Sequence, residues 1–129
     1  MADTEKITMN INVVDLGQID LLVARGYYSN RADLIRAAIR NQVAKHEEVI
    51  KQTITSEAFS VGIVGMGRKT LEALRAANKQ LELKVVGMLV IADDVSPELA
   101  DAVIKSIQVR GVLRASDAVK TKLADRIEA

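Results

Sequence analysis

The chain has 129 residues, of which 49% are hydrophobic and 27% are charged, a composition typical of a soluble globular protein with one domain or two small ones. It contains no cysteine and a single histidine, His46, which argues against disulfides, a metal site and any catalytic dyad or triad built on those residues. A formal net charge of +1 excludes nucleic-acid binding by bulk positive charge. Since no apolar run is long enough to span a bilayer and the N-terminus is polar, the sequence predicts a cytoplasmic protein without membrane contact.

Residues 6–13 read Lys-Ile-Thr-Met-Asn-Ile-Asn-Val, with apolar and polar side chains in strict alternation. This period of two is typical of a half-buried strand. A lone strand in a segment of about 45 residues has no partner for its backbone hydrogen bonds and cannot close a core. We therefore expect a second copy of the chain to supply an antiparallel partner strand. The alternative is an edge strand that pairs with the C-terminal part.

Two helices are predicted after this strand. Asp15 is a candidate cap for the first helix, whose apolar residues recur at helical spacing as far as Gly26. Ser29 or Asn30 can cap the second helix, which is predicted to continue through residue 43 and as far as residue 50.

Residues 5–50 resemble the ribbon-helix-helix family of bacterial and phage DNA-binding proteins, in the branch typified by small plasmid copy-control repressors. The resemblance rests on Lys-Ile-Thr-Met-Asn-Ile at residues 6–11, on the turn at Gly26, and on Ser-Asn-Arg-Ala-Asp-Leu-Ile-Arg-Ala-Ala-Ile-Arg at residues 29–40. It implies a strand and two helices in an intertwined homodimer, whose two-stranded ribbon lies in the major groove of duplex DNA.

The resemblance also implies which residues contact DNA. Three alternate outward side chains of the ribbon read base edges, because Lys can donate to guanine, Asn can pair with adenine, and Thr can bond to or pack against a base. The N-terminus of the second helix binds a backbone phosphate. The alternative interpretation is a solvated strand face and an ordinary helix cap. The DNA-binding residues implied are Lys6, Thr8, Asn10, Ser29, Asn30 and Arg31.

The sequence is charged and then threonine-rich over residues 45–56, and beyond them short apolar runs alternate with helical patterns. This change near residues 53–56 divides the chain into predicted domains at 1–54 and 55–129. In the second domain, residues 83–105 overlay residues 107–129 with eight identities at an offset of 24, and a weaker first copy starts at Phe59 and keeps Val61 in register with Val85. The overlay predicts a three-unit βα repeat in an α/β fold with a parallel sheet whose strands are buried on both faces. The predicted strands are residues 59–64, 83–91 and 107–113, and the predicted helices are residues 69–80, 97–105 and 117–127, with Ser96 as a cap before Pro97.

Residues 62–70, which include Gly62, Gly65 and Gly67, run from the end of a predicted strand into a predicted helix, as in the opening of a dinucleotide-binding fingerprint. Thr70 stands where that fingerprint has its third glycine, so a tight turn in a glycine-rich repeat is the favoured interpretation. We expect no cofactor, no metal and no enzymatic activity.

The sequence as a whole predicts a DNA-binding transcriptional regulator, a repressor that works as a homodimer on the nucleoid and forms higher oligomers through residues 55–129. The alternatives are an assembly protein that uses the N-terminal pair only to dimerise, a nucleotide-responsive regulator, and an antitoxin whose residues 55–129 bind another protein.

Overall fold

The structure, a computed structural model, describes residues 4–128. Contacts divide the chain into two compact units, the first ending at Lys51 and the second beginning at Gln52. This division lies three residues before the start of the predicted second domain, and helix α3 (Glu47–Ser56) crosses it.

The first unit is helical, with α1 at Val13–Ala24 and α2 at Arg31–Ala44. Residues 4–12 form no strand in the single chain, and Val13, predicted to end the strand, instead begins α1. The cap of α1 is Asn12, whose side chain accepts from the amides of Val14 and Asp15, so the prediction of Asp15 as the cap is wrong. A strand over residues 6–12 that forms against a second copy stays a prediction, because a strand needs a partner for its backbone groups.

The turn at Gly26 ends α1. The Gly26 amide donates to the carbonyl of Val23, and the Tyr27 amide donates to the carbonyl of Leu22. This bond pair, with Gly26 at a φ of 83°, is the Schellman motif, which satisfies the last carbonyls of a helix. The glycine is required here because a left-handed backbone is costly for other residues.

The second helix is shorter than the spacing predicts. It ends at Ala44 instead of continuing toward residue 50, and α3 begins at Glu47. Glu47 and Glu48 occupy the first turn of α3, where acidic side chains favour a helix start, and Glu47 forms an ion pair with Lys51 one turn later. These charges favour a new helix start over a continuous helix.

None of the three helices that begin in the first unit has a buried residue. In the segment before α1, Ile7 is 81% exposed and Met9 is 69% exposed. So many exposed apolar side chains on a small unit are typical of a surface that binds another chain. The other large apolar residues exposed from α1 to α3 are Val13, Val14, Leu21, Leu22, Tyr27, Ile39, Val43, Val49 and Ile50.

The second unit is an α/β fold with a parallel sheet, as predicted. Its strands follow one another in the order β1-β2-β3-β4, and each pair of neighbours is parallel. The elements after α3 are β1 (Ser60–Met66), α4 (Arg68–Ala76), β2 (Leu81–Ile91), α5 (Pro97–Val103), β3 (Ile104–Arg114), α6 (Asp117–Lys122) and β4 (Ile127–Glu128).

The strand register refines the internal overlay. At an offset of 24, Val85 lies opposite Val109. Between β1 and β2 the offset is 25, so Ser60 lies opposite Val85 and Val61 lies opposite Val86. The predicted match of Val61 with Val85 is therefore wrong by one residue, which in a strand moves the side chain to the other face of the sheet.

The core of the second unit lies between the sheet and the helices α4, α5 and α6. Right-handed crossovers between strands in sequential order place all three helices on one face. The prediction that the strands are buried on both faces is wrong, because the opposite face, here called the open face, exposes Val61 and Ile63. The core residues include Leu71, Leu83, Val85, Leu89, Ile91, Leu99, Val103, Ile107, Val109, Val119 and Leu123.

Ser96 caps α5 before Pro97, as predicted, and accepts from the amide of Leu99. The helix predicted to reach residue 127 instead ends at Lys122 and is followed by a 3₁₀ turn and by β4. Arg126 holds this end of the sheet, because its half-buried guanidinium donates to the carbonyls of Asp101 and Ile104 and to the Asp101 carboxylate. A charged side chain that binds backbone carbonyls favours the turn over a further helical turn.

A ladder of glycines crosses the sheet. Gly62, Gly87 and Gly111 lie opposite one another and have φ values of 122°, 133° and 130°. A Cβ atom at Gly87 would lie 2.1 Å from the carbonyl oxygen of Gly62, and one at Gly111 would lie 2.0 Å from that of Gly87. The strands approach each other in a way that only glycine permits.

Candidate functional site

The three predicted base-reading residues, Lys6, Thr8 and Asn10, lie in the irregular segment before α1, and all three are exposed. Ile7 and Met9 between them are exposed as well. The single chain therefore does not separate an inner from an outer face here, since that distinction requires a partner strand.

Asn30 is the N-cap of α2. Its side chain accepts from the amide of Asp33 at 2.8 Å, while the Asp33 carboxylate accepts from the Ser29 amide at 3.5 Å. This reciprocal pair holds the chain at the entrance to the helix, as a capping box does. The amides of Arg31 and Ala32 lie in the first turn, where a helix provides no intrahelical acceptor. Such amides, with the positive end of the helix dipole, form an anion-binding surface.

Arg31 connects the two helices of the first unit. Its Nε and Nη2 donate to the two carboxylate oxygens of Asp20 on α1, at 2.7 and 2.8 Å. These hydrogen bonds hold the pKa of Asp20 below its ordinary value of 3.8 and raise the pKa of Arg31. The bidentate geometry fixes the start of α2 against α1.

Sequence reasoning missed Asp20. The sequence predicted that Arg31 binds phosphate, and no acidic partner for Arg31 was predicted. The available signal was the αα-hairpin itself, since Asp20 precedes the Gly26 turn by about as much as Arg31 follows it. Residues so placed lie side by side when two helices fold back on each other.

The glycines at the β1–α4 junction have structural roles. Gly62 lies within β1 as part of the glycine ladder, and Gly67 is the N-cap of α4. The amide of Arg68, in the first turn of α4, donates to the Asp94 carboxylate at 3.2 Å. A carboxylate thus contacts the first turn of α4, where the fingerprint would place a pyrophosphate, which supports the glycine-rich turn over a nucleotide site.

Within residues 4–128, no helix combines the length and apolar character needed to cross a membrane. In the same described part, acidic and histidine side chains nowhere gather in a group of three that could hold a metal ion.

Comparison with known proteins identifies the class of molecule. The chain matches the ribbon-helix-helix transcriptional regulator family over residues 2–120. It belongs to this family. The resemblance seen in residues 5–50 is confirmed, and the match extends well into the second unit. No curated protein and no solved structure matches the chain.

The ribbon-helix-helix family is a family of transcriptional regulators. Membership implies DNA binding and, typically, dimerisation.

Proposed function

We propose that the protein is a sequence-specific repressor that binds duplex DNA as a homodimer and inserts a two-stranded antiparallel ribbon, one strand from each chain, into the major groove. The observation that carries this proposal is the exposed segment before α1, in which Ile7 and Met9 alternate with Lys6, Thr8 and Asn10. Pairing two such segments buries one set of side chains against the helices and presents the other set to DNA.

The outward set has the chemistry to distinguish bases. Lys6 donates to guanine O6 and N7, Asn10 forms a bidentate pair with adenine, and Thr8 bonds to a base edge or packs on a thymine methyl. The two-fold axis repeats the triad, so one dimer presents six such side chains to its operator.

Phosphate contacts set the position of the ribbon. Ser29 and Asn30 bring the N-terminus of α2 to the backbone, where the first-turn amides bind a phosphate oxygen. Arg31 adds positive charge beside them, although its ion pair with Asp20 reduces that charge. We therefore assign Arg31 two roles in the proposal, a phosphate contact and the positioning of α2 against α1.

The second unit, in this proposal, joins repressor dimers on the nucleoid. The charge of the chain is nearly balanced, so a single dimer gains little from bulk electrostatics. Linked dimers on neighbouring sites gain affinity through effective concentration without new base contacts.

The test is a gel-shift titration with an operator selected from a random DNA pool. The double variant K6A/N10A should stay folded and dimeric and lose its preference for the operator over unrelated DNA by at least about tenfold, since each base contact is worth about 1–3 kcal/mol. The matched control is K69A/Q80A, which removes one lysine and one amide from exposed positions of the second unit. Unchanged operator preference in K6A/N10A would contradict the ribbon assignment.

A further inference from the structure

The first edge of the sheet is unusually bare. β1 pairs with β2 along its whole length, and within the described residues no strand pairs with its other edge. Its seven residues are Ser-Val-Gly-Ile-Val-Gly-Met, without a charge or a proline. Free edge strands usually carry charged residues, prolines or bulges that prevent pairing with another strand. β1 has none of these.

The opposite edge is protected. β3 pairs with β4 over only two residues, and the remainder of β3 carries Arg110 and Arg114. Glu128 of the short strand β4 forms an ion pair with Arg110 at 3.1 Å. Charges and very short edge strands are usual means of blocking an edge. The two ends of one sheet thus differ, and only the β1 end is suited to strand pairing.

The open face beside β1 is apolar. Val61 is 64% exposed and Ile63 is 53% exposed, and of the β2 residues opposite them Val86 is half-buried and Met88 is buried. The middle residue of β1 is Ile63. An antiparallel pair centred there would use all seven residues and place Val61 of each chain opposite Gly65 of the other, so that on the open face Ile63 alone lies opposite another large side chain.

We propose that β1 pairs antiparallel with β1 of a second copy of this chain, with Ile63 on the two-fold axis, so that two four-stranded sheets become one sheet of eight strands. A second copy is the fitting occupant because the same uncharged edge on both chains is self-complementary about a two-fold axis, whereas the protected β3–β4 edge does not favour a head-to-tail arrangement. The two copies belong to different ribbon dimers, so the pairing joins dimers as the proposed function requires. This inference rests on the oligomerisation part of the proposed function and specifies its surface. It is independent of how the ribbon reads DNA.

Single-cysteine cross-linking of the full chain tests the pairing, since the natural sequence contains no cysteine. On a two-fold axis, residue 63 faces itself across a Cβ separation of about 4.5–5.5 Å. Residue 61 lies two positions from the axis, so its two copies are separated by about four residues of strand, or roughly 13 Å. A disulfide requires Cα atoms within about 7 Å. I63C should therefore form the disulfide-linked dimer at least about tenfold faster than V61C under mild oxidation.

V61C is a matched control because it lies on the same strand and face at similar exposure, and A118C, on the exposed surface of α6, gives the background rate. Equal rates for I63C and V61C, or an I63C rate no higher than that of A118C, would overturn the proposal. Introducing K6A/N10A into I63C should leave the cross-linking rate unchanged, and reduced I63C should keep the operator preference of the natural protein. Failure of DNA recognition and failure of β1 pairing are thus separate results.

Discussion

Both units of the chain contain amphipathic elements, yet they bury apolar side chains to very different degrees. Every large apolar residue that is buried in residues 4–128 lies between Phe59 and Leu123, whereas helices α1, α2 and α3 bury none. The second unit encloses a core within one chain because its strands and helices cover each other. The first unit has two helices and one irregular segment, which is too little to enclose a core, so we expect its stability to depend on a second copy.

The largest expected effect is loss of the first unit as a folded element. In the proposed ribbon Ile7 faces the helices of the dimer, so I7D should bury a charge there and prevent dimerisation. The natural protein should show one unfolding transition for each unit, and I7D should abolish only that of the first unit. Circular dichroism at several concentrations measures this. T8Q, at the neighbouring outward position, is the control and should retain both transitions; equal behaviour of I7D and T8Q would show that the first unit does not depend on a second copy.

The next largest effect is expected on the stability of the second unit, which encloses its own core. G87A should lower the free energy of unfolding of this unit by at least about 3 kcal/mol, because its Cβ atom meets the Gly62 carbonyl and its backbone is left-handed. G62A has the same backbone but open space, so a loss of about 1–2 kcal/mol is expected.

Gly65 completes this series as a control, since it has neither a positive φ nor a neighbour within 4 Å. G65A should not destabilise the unit and should raise its free energy of unfolding by no more than about 1 kcal/mol. Urea titrations give all three values. A G87A variant as stable as G65A would mean that the strands tolerate a side chain at the ladder.

A smaller effect is expected at the turn of the first unit. G26A should destabilise the first unit by about 1 kcal/mol, because the Schellman motif requires a left-handed residue at this position. The transition of the second unit should not move. A shift of both transitions would indicate that the units do not unfold separately.

The smallest effect concerns pH. The pKa of Asp20 is lowered in the folded state, so its contribution to stability is fully present above pH 3.8 and is lost as the pH falls through the lowered value. The difference in Tm between the natural protein and D20N should be constant above pH 3.8 and close on further acidification. Because the pair is exposed, the difference is small. R31Q should reproduce it, and the double variant D20N/R31Q should lose no more; additive losses would show that the two side chains act separately.

The sequence by itself determined several local features of the protein. Alternation over residues 6–13, the turn at Gly26 and the run at residues 29–40 were sufficient to recognise the family, and Ser96 before Pro97 was identified as a helix cap. A parallel sheet also followed from strands that alternate with helices. These features depend on neighbouring residues, and their side chains satisfy backbone groups within a turn or two.

Tertiary structure decided what depends on distant residues. The pairing of Arg31 with Asp20 and the 25-residue offset at β1 each join positions whose distance is set by the fold. The last helix ends before its predicted end because Arg126 donates hydrogen bonds to carbonyls more than 20 residues away. Local propensity has no access to such partners, which is why the roles of Arg31 and of the bare strand β1 emerged only from the folded chain.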